Sequence, residues 1–170
     1  INMADKKGFV TKNIIVFFTN LGNSGVGMVT VGAASINSQG SDTINGMIIG
    51  DKKYENKLKK LNLSIKETGC LSAIQIFHVG SQGNPLHNGG HETVGPTSYY
   101  FKDIDNFSRE LTKKEILKIE DDFVQSIISA INCRFDFIEL HLAHGYLLHQ
   151  FLSPYFNKRT DEYGGNFDNN

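Results

Sequence analysis

Cysteine is scarce in this sequence: Cys70 and Cys133 stand far apart, with no CxxC spacing and no neighbouring histidine. That argues against a disulfide framework or a cysteine zinc site, and reads as two small buried residues of a reduced, cytoplasmic protein. A charge excess is also missing, since 17 Lys+Arg face 18 Asp+Glu for a net charge of −1. Such a balance leaves no electrostatic footprint for nucleic acid. No apolar run approaches the about 20 residues that a membrane span needs. The start, Ile1-Asn2-Met3-Ala4-Asp5-Lys6-Lys7, shows no apolar h-region, so a secretory signal is not visible and a cytoplasmic location is expected. What is present is a globular composition, 39% hydrophobic and 21% charged over 170 residues, sufficient for one core.

Apolar runs alternate with helical patterns, the signature of βαβ units around a parallel sheet. Residues 11–21 read as a helix with Ile14, Ile15, Phe17 and Phe18 on its apolar side, broken by the glycines of 22–25. Residues 26–31 follow as a strand covered on both faces, and 47–49 as a short extended piece. From Asp51, Tyr54, Leu58, Leu61 and Ile65 recur at helical spacing, with Gly69 as the stop. Residues 72–77 read as a second buried strand. Residues 78–111 then form a long polar loop holding two of the three prolines, a length that usually signals function. Thr112 and Glu115 spell a capping box ahead of a long helix with Ile116, Ile119, Phe123, Ile127 and Ile131 as its stripe. Residues 135–141 alternate and should form the third strand.

Reactive groups of a parallel α/β sheet sit where strands end and loops begin. The third strand ends in His141-Leu142-Ala143-His144-Gly145-Tyr146, two imidazoles and a phenol in six residues. Local hydrogen bonding of two histidines is the bland explanation. A zinc site would need a third ligand such as His149 or Glu139, yet zinc helices place His at i and i+4, and no cysteine or carboxylate cluster supports one. The catalytic reading has both imidazoles donating hydrogen bonds to a substrate oxygen that gains negative charge, with Tyr146 supplying a proton. Gln75 on an apolar strand needs a partner: either a backbone group across the sheet or the polar edge of a planar heterocycle. Small residues at 32–34 would let a flat ligand approach the backbone closely.

The segment from Phe135 through His141, His144, Tyr146, His149-Gln150-Phe151-Leu152-Ser153-Pro154 and on to Arg159-Thr160-Asp161-Glu162-Tyr163-Gly164-Gly165 closely resembles the signature of the old yellow enzyme family. Members are FMN-dependent NAD(P)H:flavin oxidoreductases and enoate reductases. Supporting pieces stand upstream in the right order, among them Gln75-Ile76-Phe77-His78-Val79-Gly80 and Arg109-Glu110-Leu111-Thr112. The resemblance implies a (β/α)8 TIM barrel, present here as a single partial barrel domain over residues 1–170 with about three core parallel strands and flanking helices. It implies FMN and NAD(P)H as cofactors, and reduction of the activated C=C bond of an α,β-unsaturated carbonyl or related small molecule. His141, His144 and Tyr146 would be catalytic, and Ala33, Gln75 and His141 would contact the flavin. Arg159, Asp161 and Tyr163 would pin the loop after the strand. A full barrel needs about 250 residues, so the chain is expected to be a fragment whose open sheet edges favour self-association. The alternative is a catalytically incompetent half-barrel that serves as an assembly or interaction module.

Overall fold

A computed structural model describes residues 2–102 and 105–165. The first helix, α1 (Lys12–Asn23), starts where the Thr11 hydroxyl accepts the Ile14 amide, and it buries Ile14, Phe18 and Gly22. These positions lie four apart, so they form one stripe. Phe17, expected on that stripe, falls to its side and is 42% exposed. Gly22 does not break the helix; a Cβ there would meet Thr68 Oγ1 at 2.3 Å, so the glycine lets α1 lie against the turn that follows the second helix. The break comes at Gly25, in the left-handed region.

Strand β1 (Met28–Ser35) begins and ends later than the sequence suggests. It is flanked by β2 (Met47–Ile48) and β3 (Leu71–Phe77), and β3 pairs with β7 (Phe137–Leu140). The sheet is wholly parallel in the order β2-β1-β3-β7. It therefore has four strands where three were expected, because the short piece at 47–48 pairs with Ala34 and Ser35. One face is covered by α1, by α2 (Lys52–Lys66) and by α3 (Lys113–Asn132), burying Val29, Val31, Ile74 and Ile76. The opposite face carries the register partners Met28 and Leu71, with Phe137 beside them, all exposed. The two-sided burial expected of β1 is thus not found. Its second face is the concave side of a partial barrel.

Helix α2 follows its sequence pattern closely: Asp51 caps it and Tyr54, Leu58, Leu61 and Ile65 are buried. The capping box of α3 is present in both directions between Thr112 and Glu115. Its stripe runs from Ile116, Ile119 and Phe123 into Ser126, Ser129 and Ala130, leaving Ile131 61% exposed. Small residues win there because α3 meets α2 at Glu55, whose carboxylate accepts from Asn132 Nδ2 at 3.1 Å and from Ser129 at 3.4 Å.

The 78–111 segment is not a plain loop. It holds a 3-10 turn at Gly80–Gln82 and a small sheet of β4 (Val94–Gly95), β5 (Tyr99–Phe101) and β6 (Asn106–Glu110) in the order β4-β6-β5. Its pattern is inverted relative to a core strand, with Ser108 buried and Phe107 62% exposed. Among the described residues no helix is long and apolar enough to cross a membrane.

Candidate active site

The strand ends on the concave side bring Ala33, Gln75, His141 and Tyr146 together around a cavity of about 120 Å³, lined also by Asp42 and Phe77. The pleat explains the convergence. Gln75 and Phe77 are two residues apart and share a face, and Gln75 is in register with Glu139, two residues before His141. The β1–β3 ladder slips between Val31 and Ala34, so Gly32 and Ala33 sit at an irregularity. A Cβ on Gly32 would meet nothing within 4 Å, which leaves room for a flat group against this backbone.

His144 stands at the rim, exposed, where the backbone turns through two left-handed residues, His144 (φ 58°) and Gly145 (φ 75°). Three side chains hold that turn. Gln82 Nε2 donates to the carbonyls of His144 and Gly145 at 2.8 and 2.9 Å, Gln150 Nε2 donates to Gly145 O, and His149 Nδ1 accepts the Gly145 amide at 2.8 Å. His144 Nδ1 lies 3.3 Å from His141 Nε2. Burial, then the neighbouring His144, pushes His141 below the usual imidazole range, so it is held neutral. Across that contact one facing nitrogen donates and the other accepts, so only one of the two carries a proton there. An oxygen that displaces this contact could accept from both nitrogens once one ring changes tautomer and the rings turn toward it.

Tyr146 is stacked on Phe77, with ring centroids 5.4 Å apart, and meets His141 edge-on at 5.0 Å. Its hydroxyl donates to Asp42 Oδ2 at 3.1 Å. Burial, with Asp42 adding to it, pushes the phenol up to about 12, so it keeps its proton at neutral pH. Gln75 finds a side-chain partner that sequence reasoning did not name: its Nε2 donates to Glu139 Oε1. A carboxamide also carries a carbonyl oxygen and a second N–H, the donor and acceptor types that a polar ring edge would need. Asp42 was missed because it lies in a Ser/Asn/Gly-rich stretch, 104 positions from Tyr146.

His78, which follows β3, is not at this cavity. It is buried with its Nδ1 accepting the Gly80 amide, and its Nε2 has no hydrogen-bond partner. Arg159 is buried too; it donates to the carbonyls of Pro96 and Leu111 and pairs with Asp161 and Glu110. It thereby ties the chain after α4 (Leu147–Leu152) to the 78–111 segment, the pinning role that the family resemblance implied for it. A larger cavity of about 420 Å³ lies between α2 and α3, where Lys53–Asp51 and Lys118–Asp122 are already paired. Among the described residues no three His, Cys, Asp or Glu side chains cluster as metal ligands.

A sequence profile of the NADH:flavin oxidoreductase / NADH oxidase family matches residues 2–170. The chain belongs to that family. Its relatives include an NADH oxidase of Thermoanaerobacter brockii, 33% identical over 168 residues, covering 98% of this chain and 26% of that protein. An NADPH dehydrogenase of Clostridium acetobutylicum is 35% identical over 166 residues, 98% of this chain and 48% of the relative. Among solved structures, a 2-naphthoyl-CoA reductase in complex with 2-naphthoyl-CoA superimposes with a TM-score of 0.93 at 28% identity, over 99% of this chain and 27% of that one. This family member therefore spans between about a quarter and a half of the length of these three proteins. Its sheet is a partial TIM barrel of the kind that old yellow enzymes complete.

Proposed function

We propose that this chain is the part of an FMN-dependent oxidoreductase that carries the substrate-activating residues, and that the enzyme takes hydride from NAD(P)H and reduces the activated C=C bond of an α,β-unsaturated carbonyl compound. The observation that carries this reading is the convergence of Ala33, Gln75, His141 and Tyr146 on one cavity at the carboxyl edge of a parallel sheet. The residues suit a flavin. Open space beside Gly32, the small Ala33 and the Gln75 carboxamide would hold a flat, polar-edged ring, with His141 beside it. Bound FMN would supply the hydride.

The chain's own residues do the remainder. His141 and His144 exchange their mutual contact for two N–H donors to the substrate carbonyl oxygen, drawing electron density from the alkene. Neutral rings suffice, and the depressed basicity of His141 keeps that ring neutral. Tyr146 holds the proton destined for the α-carbon, and solvent restores it afterwards. The test is anaerobic incubation of the FMN-loaded protein with NADPH and 2-cyclohexenone. Formation of cyclohexanone in step with NADPH consumption is the expected result. Bound flavin that NADPH reduces, followed by no loss of enone, would overturn the reading.

A further inference from the structure

Asp42 lies on the segment between β1 and β2, and its carboxylate reaches across to the site rather than to its own loop. The Tyr146 hydroxyl donates to it at 3.1 Å, and both side chains line the cavity with His141. We propose that Asp42 is a positioning and specificity residue of this site: it fixes the direction of the Tyr146 hydroxyl and makes the cavity favour neutral or cationic unsaturated compounds over anionic ones. The substrate half of this statement rests on the reductase reading; the positioning half rests on geometry alone.

Three observations support it. The Tyr146 ring is set by stacking on Phe77 and by the edge of His141, which leaves rotation of the O–H as its remaining freedom, and Asp42 removes that. That bond engages the single phenol proton, so Asp42 parks the hydroxyl in the resting site and transfer to a substrate follows once the O–H turns away from it. Second, Asp42 is itself anchored. His87 Nδ1 lies 3.1 Å from the Asp42 carbonyl, Ser38 Oγ lies 3.1 Å from His91 Nε2, and Gln39 Nε2 donates to the Glu92 carbonyl at 3.0 Å. The segment is thus laced to the 78–95 stretch, and the carboxylate is held over the cavity. Third, among the described residues lining the cavity, Asp42 is the one formally charged side chain once His141 is neutral. Glu139, bonded to Gln75 on the same sheet face, adds charge of the same sign.

The groups that face the phenol are Asp42, His141 and Phe77, with His144 and Glu139 behind His141. Among the described residues around the phenol, two carboxylates and no lysine or arginine set a negative field. A carboxylate substrate a few ångströms from Asp42 would bind about tenfold more weakly than its neutral analogue, after allowance for screening. A purely structural role for Asp42 predicts no such discrimination.

The experiment compares the wild type with Asp42→Asn and Tyr146→Phe. The tyrosinate absorbance of Tyr146 is isolated from the six tyrosines by difference against Tyr146→Phe. Its midpoint, about 12 in the wild type, should fall in Asp42→Asn, because a charge that opposes phenolate is removed. Steady-state kinetics with a cyclic enone, its carboxylate derivative and its trimethylammonium derivative read the second half. The wild type should show a KM for the carboxylate about tenfold above that of the neutral compound, and the gap should close in Asp42→Asn. Tyr146→Phe keeps Asp42 and should keep the gap while kcat falls for all three, which preserves the test if Asp42→Asn folds poorly. An unmoved tyrosine midpoint overturns the positioning role, and equal KM values for the neutral and anionic compounds overturn the specificity role. A moved midpoint with no turnover of any compound leaves the contact standing and sinks the reductase reading instead.

Discussion

Replacing His141 and His144 together by alanine should lower kcat/KM for a neutral enone by about 10³. The facing nitrogens of the two rings are 3.3 Å apart, so an oxygen that displaces their contact can take two N–H donors once the rings turn toward it. Removal of a single donor of this kind costs about 10²–10³ in rate, and two donors that act on the same oxygen are not additive. His144→Ala alone should therefore account for most of the loss. His144 is exposed and His141 half-buried, so the fold should survive, and circular dichroism of the double variant should match the wild type. Binding of a phenolic probe, read from the perturbed flavin absorbance, should vanish in parallel. Retention of probe affinity with lost turnover would show that the pair does not hold the oxygen.

The second large effect concerns stability and belongs to His78. Burial holds its imidazole down to about 4, against 6.5 in an unfolded chain, with Asp122 pulling weakly the other way. The unfolded state then binds more protons than the folded state between those values, so stability rises with pH across that window. The contribution is complete above about pH 6.5, and it is lost as pH falls toward 4. Between about pH 7.5 and about pH 5 the wild type should lose about 2 kcal/mol on this account. His78→Asn retains an acceptor for the Gly80 amide but cannot titrate. It should show a flatter acid limb, read as the change in urea midpoint between the two conditions. His141 is shifted in the same direction, so the difference between the two proteins, not the slope of either, isolates His78. Parallel limbs would mean that His78 accepts its proton without cost in the folded state.

Much of the scaffold was legible because periodicity reports burial directly. Tyr54, Leu58, Leu61 and Ile65 lie on the helix-facing side as spaced, and Thr112 with Glu115 caps α3 as read. The pattern misled where packing partners are polar or small. Ile131 continues the apolar stripe on paper, yet Ser126, Ser129 and Ala130 occupy the contact because Glu55 sits opposite. In β6 a buried serine and an exposed phenylalanine invert the alternation, and β4 and β5 are too short to show one. At the site, the local motif placed His141, His144 and Tyr146 together, and strand position placed Gln75. Asp42 and Glu139 were out of reach. Their roles depend on pairings across 104 and 64 positions, which no local pattern encodes.

The carboxyl edge of this sheet is proposed as part of a flavin-binding reductase. The most direct test is titration of the protein with FMN, followed by flavin fluorescence, in the wild type and in Gln75→Leu. Saturable, stoichiometric quenching that weakens about tenfold on loss of the Gln75 carboxamide is the expected result, since a site built to hydrogen-bond a polar edge discriminates strongly against its loss. Quenching of equal strength in both proteins would place the flavin elsewhere and contradict the account.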